Sequence, residues 1–307
     1  VGHAVTEPIG ILLAAGLGMR LRPLTLVRPK PLVPLHGIPL LEFGLRQLEQ
    51  AGCRLAAVNG HHLPELLRRW LEERQLRRPG LRLRFFEEPV LLGVGGGLAR
   101  MARELPPGPL LVQNGDVLHD GDLARLLESA RLDEGGLALA TGGRPLVLEV
   151  VDGVVRGLRD AARSTHGFTG VHVWSGEARE RLAAWREADL IPFLRREIAQ
   201  DRPPRTLPLA VAGRPGLWVD LGHLARYLDL HHELWENPAY RRLLDRLDLG
   251  ADWDAARLLS VGRDSRLPET ARRCVAWDGV AWEGEAADTV FLDGVRGRGR
   301  IKGEIVF

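Results

Sequence analysis

A short apolar run from Ile9 to Ala15 stops at Gly16. The run does not alternate with polar residues, so a strand built from it is buried on both faces. Such a strand needs a layer above it and a layer below it, and that need governs what the rest of the chain can be. The layers follow in order. Leu41, Leu45 and Leu48 mark a helix over Pro39 to Gln50, stopped by Ala51-Gly52. Leu55 to Asn59 reads as a strand. Leu63 to Leu76 is an amphipathic helix with Leu66, Leu67, Trp70 and Leu71 on one side. Leu81 to Glu87 is a strand, Gly97 to Leu105 a helix, and Leu110 to Gln113 a strand. Asp122 to Ala130 is a helix and Leu137 to Thr141 a strand. This alternation predicts an α/β fold with a doubly wound, mostly parallel sheet of Rossmann-like type.

The pattern changes after Thr141. Leu146 to Val151, Val154 to Leu158 and Phe168 to Trp174 read as strands, with Asp152-Gly153 as a hairpin turn. Leu190 to Ala199 and Leu224 to Trp235 read as helices. Leu258 to Phe307 is rich in Gly and Val/Ile and has no helical period, which predicts a small β-rich C-terminal tail. Trp235-Glu-Asn-Pro238 offers a hinge, dividing the chain into 1–235 and 236–307.

Composition excludes several classes. With Lys+Arg 42 and Asp+Glu 40, a net charge of +2 is too balanced for a dedicated nucleic-acid binder or a polybasic membrane protein. Hydrophobic residues at 45% argue against wholesale disorder. Cys53 and Cys274 are too few for a zinc site of their own. No apolar run approaches the roughly 18 residues that span a bilayer, and Val1 to Pro8 lacks the regions of a signal peptide. The expected compartment is the cytoplasm. Lys30 and Lys302 are the only lysines, so each stands where the chain did not use Arg.

The loop after the first strand runs Leu13-Ala-Ala-Gly-Leu-Gly-Met-Arg-Leu-Arg-Pro-Leu-Thr25. Small residues let a ligand approach the backbone, and successive N–H groups can cradle phosphate. A dinucleotide loop would need a third Gly where Leu21 sits, with a helix beginning at once. Pro23, Pro29, Pro31 and Pro34 forbid a long helix here. What remains is a loop bearing Arg20, Arg22, Arg28 and Lys30, a pattern suited to a nucleoside triphosphate; solvated surface charge is the alternative. Two carboxylates follow strands. Leu110-Leu-Val-Gln-Asn-Gly-Asp116 places Asp116 just past a strand, where parallel sheets bind ligands; a turn Asp bonding its own backbone is the alternative. Gly216-Leu-Trp-Val-Asp-Leu-Gly222 places Asp220 before a helix, where a capping role is the alternative.

Taken together, the Leu13–Thr25 loop and Arg28-Pro-Lys-Pro-Leu-Val-Pro34 resemble the signature of the sugar-1-phosphate nucleotidyltransferases. The resemblance spans most of the region from about residue 9 to 235, where it implies the nucleotidyltransferase fold, through five separated motifs. It implies that Leu13, Ala14, Ala15, Gly16 and Gly18 bind nucleotide, and that Arg20 and Lys30 are catalytic, meeting the triphosphate and the incoming sugar phosphate. It implies that Asp116 and Asp220 hold Mg²⁺. Glu87-Glu-Pro-Val-Leu-Leu-Gly-Val-Gly-Gly-Gly-Leu98 resembles the segment bordering the nucleobase, assigning Glu88, Gly93 and Gly95 to nucleotide. The choice between Glu87 and Glu88 stays open. Asn114, and Thr169-Gly170 within Gly167-Phe-Thr-Gly-Val-His-Val-Trp174, are implied at the sugar phosphate. Met19, Val94 and His223 stand where the family carries hydroxyl residues. Leu158-Arg-Asp-Ala161 lacks the Glu-Lys-Pro of many glucose and thymidine-sugar relatives. The chain is more similar to the N-acetylmuramate-1-phosphate uridylyltransferase and mannose-1-phosphate guanylyltransferase branches. The tail is similar to a truncated left-handed β-helix, although its hexads are poor.

The implied reaction joins an NTP and a sugar 1-phosphate into an NDP-sugar and pyrophosphate. The partners are those two small molecules, with no nucleic acid and no membrane. Two other readings stay open: a non-catalytic nucleotide-sugar-binding or regulatory protein on the same fold, and a dinucleotide-dependent oxidoreductase, which the loop disfavours. Base, sugar and a homo-oligomeric state are left undecided by the residues. His61-His62 and His231-His232 read as solvated or capping groups rather than metal pairs, since adjacent helical residues point apart.

Overall fold

Ile9, Ile11 and Leu12 are fully or almost fully buried, as a strand covered on both faces requires. The computed structural model describes residues 7–132, 137–158, 162–209 and 216–307. The stretches 1–6 and 159–161, which bear on the leader and Glu-Lys-Pro expectations, lie outside the described residues. In chain order the first twelve strands are β1 (Ile9–Leu13), β2 (Pro34–Leu35), β3 (Ile38–Pro39), β4 (Leu55–Gly60), β5 (Arg82–Glu87) and β6 (Leu110–Asn114). They continue with β7 (Val117–His119), β8 (Leu137–Val151), β9 (Val154–Leu158), β10 (His166–Trp174), β11 (Arg205–Pro208) and β12 (Trp218–Asp220). Contacts group the chain into two compact units. One comprises Val1–Gly16 and Gly44–Asp220, the other Leu17–Phe43 and Leu221–Phe307.

The first unit is built on an eight-stranded sheet in the order β11-β9-β8-β10-β6-β1-β4-β5. The β6-β1-β4-β5 portion is parallel, as the strand-helix alternation predicts. Beyond β6 the sheet is mixed. β10 runs antiparallel to both β6 and β8, and β8 pairs antiparallel with β9 through the Asp152-Gly153 turn. The expectation of a mostly parallel sheet is therefore corrected to a mixed one. Leu137–Thr141 and Leu146–Val151 also belong to one 15-residue strand. Helices Pro64–Arg77 and Gly93–Glu104 flank the parallel strands, and Gly176–Ala183 and Ile191–Ala199 follow β10. Trp174, Phe193, Leu98, Met101 and Leu110 meet in the main core. Gly10 admits Leu48 from helix Leu40–Gln50: a Cβ there would lie 2.5 Å from a Leu48 methyl carbon.

The second unit contains β2 and β3, helices Tyr227–Glu236 and Pro238–Leu247, and the tail. Glu236 ends one helix, and the Asn237 side chain accepts a hydrogen bond from the Ala239 N–H at 2.9 Å, capping the next. In the tail, β13 (Leu259–Val261), β14 (Cys274–Ala276), β16 (Val290–Phe291) and β18 (Ile305–Val306) form a parallel sheet. Beside it β15 (Ala281–Ala287) pairs in parallel with β17 (Arg296–Lys302). Leu259 faces Cys274, Val275 faces Val290, Ala281 faces Arg296, and Val290 faces Ile305. Every partner is 15 positions further on, so the tail is a β-coil with a 15-residue rung. Fifteen is not a multiple of six, which is why hexads are poorly legible. No described helix is long and apolar enough to cross a membrane. Cys53 and Cys274 are both buried and unbridged.

A buried cluster knits the second unit. His36 Nε2 lies 2.8 Å from the His231 carbonyl, which can only accept, so Nε2 carries the proton. Nδ1 then accepts from the Tyr240 hydroxyl at 2.9 Å. His231 is buried, not solvated, and donates from Nδ1 to the Tyr227 carbonyl at 2.8 Å.

Burial, with His231 alongside, lowers the His36 pKa to about 2. Burial lowers His231 to about 4 and His172, in the first unit, to about 3. All three stay neutral in the fold, whereas unfolded His takes a proton below about pH 6.5. The unfolded chain thus binds more protons as pH falls, and stability is lost below pH 6.5 toward pH 4. The loss is roughly 1.4 kcal/mol per pH unit for each histidine. The urea midpoint should fall clearly between pH 7.5 and pH 5; equal midpoints would contradict the assignment of these histidines.

Candidate active site

The carboxyl ends of the parallel strands bring the first group of residues together. Leu13 of β1 faces Asn114 of β6, and the Gly115 N–H donates to the Leu13 carbonyl at 2.8 Å. Ala14 and Ala15 are buried, while Gly16 is exposed. A Cβ at Gly16 would meet nothing within 4 Å, so no internal packing demands glycine there. This edge of an open α/β sheet is where ligands bind.

Asp116 lies in the turn between β6 and β7, and Asp220 ends β12. β12 pairs antiparallel with β7, setting Asp220 opposite Val117, the neighbour of Asp116. Two motifs about a hundred residues apart in sequence thus deliver two carboxylates to one short ribbon. Asp220 is exposed and Asp116 half-buried. Hard oxygen donors in pairs suit Mg²⁺, which takes its remaining ligands from phosphate and water. The donor set therefore fits that ion.

Asn114, Thr169 and Gly170 also converge. A Cβ at Gly170, where φ is +79°, would lie 2.5 Å from Asn114 Nδ2. The glycine is needed to seat the Asn114 side chain. Thr169 is buried, and its hydroxyl donates to the Ala140 carbonyl at 2.8 Å. The Trp218 indole N–H donates to the Thr169 carbonyl at 3.0 Å, tying the Asp220 strand to this corner.

The second glycine segment has an internal reason for its composition. A Cβ at Gly93, where φ is +71°, would lie 2.6 Å from the Ala188 carbonyl oxygen. One at Gly95 would lie 2.8 Å from the carbonyl oxygens of Glu187 and Asp189, and the Gly95 N–H donates to Ala188 at 2.7 Å. These glycines let loop 187–189 pack on the helix start. Glu88 is 2% exposed, with Oε1 accepting from Asn59 Nδ2 at 2.8 Å and Oε2 from the Leu92 N–H at 3.0 Å. Its carboxylate faces inward and organises the loop. Asn59 lies outside the motifs of the resemblance. Its Oδ1 accepts from the Ala14 N–H at 2.7 Å, joining both glycine segments through one side chain. The available signal was its pattern: like Asn114, it is a polar residue near the end of an apolar strand.

The second unit carries Arg20, Arg22, Arg28 and Lys30 of the basic loop. Gly18 is left-handed at φ +63°, and its carbonyl accepts from the buried Thr25 hydroxyl at 2.9 Å. A Cβ on Gly18 would lie 2.7 Å from the Thr25 methyl and 3.3 Å from Lys30 Cβ. Lys30 is half-buried and opens a single turn, Lys30–Leu32. Arg20 is exposed, with Nη1 3.3 Å from His223 Nε2. The residue replacing the family's hydroxyl thus meets the arginine itself. Met19 and Val94, the other two departures, are both exposed.

The fold is that of an α/β protein with two carboxylates near the carboxyl end of its central strands. The nucleotidyl transferase family profile matches residues 9–149. An N-acetylmuramate α-1-phosphate uridylyltransferase from Neisseria meningitidis serogroup B is 31% identical over 232 residues, 70% of this chain and 94% of that protein. A mannose-1-phosphate guanylyltransferase from Mycobacterium tuberculosis is 35% identical over 129 residues, 42% of this chain and only 35% of that relative's length. A UDP-glucose pyrophosphorylase solved with UDP-glucose superposes with a TM-score of 0.61 at 16% identity, covering 75% of this chain and 99% of that one. That last likeness shows the shared fold. The chain belongs to the nucleotidyl transferase family, among the sugar-1-phosphate nucleotidyltransferases.

Gly95→Ala should destabilise the protein by about 1–3 kcal/mol, because a methyl would press on two backbone carbonyls. Urea unfolding would check this, and an unchanged midpoint would show that loop 187–189 moves aside freely.

Proposed function

We propose that the chain transfers a nucleotidyl group from an NTP to a sugar 1-phosphate, releasing pyrophosphate. The observation that carries this reading is the β7-β12 pairing, which sets Asp220 opposite Val117, the neighbour of Asp116, just past the end of β6, where Leu13, Asn114 and Gly170 also meet. The nucleophile is a phosphate oxygen of the sugar phosphate, already ionised at neutral pH, so no general base is required. It attacks the α-phosphorus; the new P–O bond forms as the bond to the β-phosphate oxygen breaks. Pyrophosphate departs with the electron pair.

The task for the protein is to hold polyanions together in line. Asp116 and Asp220 would hold Mg²⁺, which when bound supplies positive charge against the phosphate oxygens. Arg20 offers a planar fork to two phosphate oxygens, and Lys30 a compact charge. The backbone from Leu13 to Gly16 accommodates nucleotide. Asn114 and the Thr169-Gly170 backbone border the sugar phosphate.

UTP with N-acetylmuramate 1-phosphate is the first pair to try, because the uridylyltransferase relative is matched over 94% of its length. GTP with mannose 1-phosphate is the second, from the guanylyltransferase relatives. Pyrophosphate release with Mg²⁺, across a panel of five NTPs and sugar 1-phosphates, would name both substrates together. EDTA should abolish the signal. Asp116→Asn or Arg20→Ala should each lower turnover at least about a hundredfold. Silence across the panel, with nucleotide-sugar binding by calorimetry, would replace this reading with a non-catalytic one.

A further inference from the structure

Arg28 belongs to the signature segment, and a basic residue beside Lys30 invites a role at phosphate. Its guanidinium is instead engaged by the C-terminal coil of the same unit. Nε donates to Asp293 Oδ2 at 2.6 Å, and Nη2 donates to Asp293 Oδ1, forming a two-pronged ion pair. Nη2 also donates to Asp278 Oδ2 at 3.2 Å. The guanidinium carbon lies 4.9 Å from the centre of the Trp277 ring. Little of the Arg28 side chain remains exposed, at 19%.

The acidic partners are products of the coil's repeat. Asp278 and Asp293 stand one 15-residue rung apart, each followed by a glycine in the left-handed region, Gly279 and Gly294. The Asp278 N–H donates to Asp293 Oδ1 at 3.1 Å, so the two turns are stacked. Stacked carboxylates repel. Arg263 reaches Asp278 Oδ2 at 2.9 Å, and Arg28 joins both aspartates. Two positive charges then offset two negative ones.

A second tie reaches the same segment from the same rung. The buried Trp277 indole donates to the Tyr227 hydroxyl at 3.0 Å, and that hydroxyl donates to the Pro34 carbonyl at 2.6 Å. Lys30 sits between the two anchored positions, Arg28 and Pro34. Its turn is closed by Leu32 N–H to Pro29 at 2.8 Å and Val33 N–H to Lys30 at 3.1 Å.

We propose that Arg28 is a positioning residue: the stacked Asp278 and Asp293 turns clamp the signature segment through it, and so fix where Lys30 stands. This rests on the reading of Lys30 under Proposed function. An exposed arginine at phosphate would instead be independent of the tail.

The test combines kinetics with hydrogen exchange on the full chain. Arg28→Ala, Asp293→Ala and the double variant are compared with wild type, with circular dichroism and urea midpoints confirming that each folds. If Arg28 acts through Asp293, each single variant lowers kcat about 10- to 100-fold, with KM for NTP changed far less, and the double variant is no worse than either single. Arg28→Lys keeps the charge but loses the fork, and should fall between wild type and Arg28→Ala. Amide exchange at Leu32 and Val33 should quicken at least about tenfold in Asp293→Ala, while β1 and β6 stay protected. Unchanged exchange there would overturn the clamp. Loosened exchange with normal kcat would overturn its role in positioning Lys30, as would additive losses in the double variant. A wild-type protein silent with every substrate pair would sink the catalytic reading and the positioning role together, while the exchange result would still decide whether the clamp exists.

Discussion

One buried amide ties together the segments that follow the parallel strands. Asn59 accepts from the Ala14 N–H and donates to Glu88, whose second oxygen holds the Leu92 N–H. Three segments from three strands therefore meet in one hydrogen-bonded chain. A carboxylate 2% exposed is tolerable only with such donors around it. Losing one partner would strand a buried polar group at a cost of about 1–3 kcal/mol. Gly97 belongs to the same constraint, since a Cβ there would lie 2.8 Å from Glu88 Oε1. The glycine run after Leu92 thus reflects two crowded neighbours, the Asn59–Glu88 pair and loop 187–189.

The charge economy differs between the two units. In the first, Asp220 ends one strand of a ribbon only three residues long on each side, and Asp116 lies in the turn that leads into the other. Backbone pairing holds Asp220 opposite Val117, the neighbour of Asp116. In the second, Lys30 sits on a single turn with prolines on both sides, and its conformation depends on ties to other elements. His36 and Gly37 add to those ties: the Asp252 N–H donates to the His36 carbonyl at 2.8 Å, and a Cβ on Gly37 would lie 3.0 Å from Asp252 Cβ. Rigid pairing places one set of charged groups, and side-chain anchors place the other.

Much of this was legible in the sequence because it is local. The apolar run at Ile9, the strand ending at Asn114 and the Asp152-Gly153 turn each announce themselves within a few residues. What escaped depends on partners far along the chain. β10 inserts antiparallel between β6 and β8, and no run of residues encodes which neighbour a strand will choose. Glu88 reads as a free acceptor until Asn59 is placed beside it. His231 reads as solvated because its helix has a polar face, yet the ring turns inward among Tyr227, His36 and Trp253. Arg28 reads as one more basic residue on a basic loop, because its partners lie about 250 and 265 positions away.

The 15-residue rung makes length in the tail a counted quantity. Each turn of the coil returns the backbone to the same angular position, so side chains one rung apart stack in columns. Asp278 and Asp293 occupy one such column. Adding or removing residues in units of fifteen would preserve every column, lengthening or shortening the stack while keeping its faces. Within the paired strands, any other change would shift the later rungs against the earlier ones and break the columns. Change in this part of the chain is therefore quantised: substitutions accumulate one residue at a time, but length can vary smoothly only by whole turns.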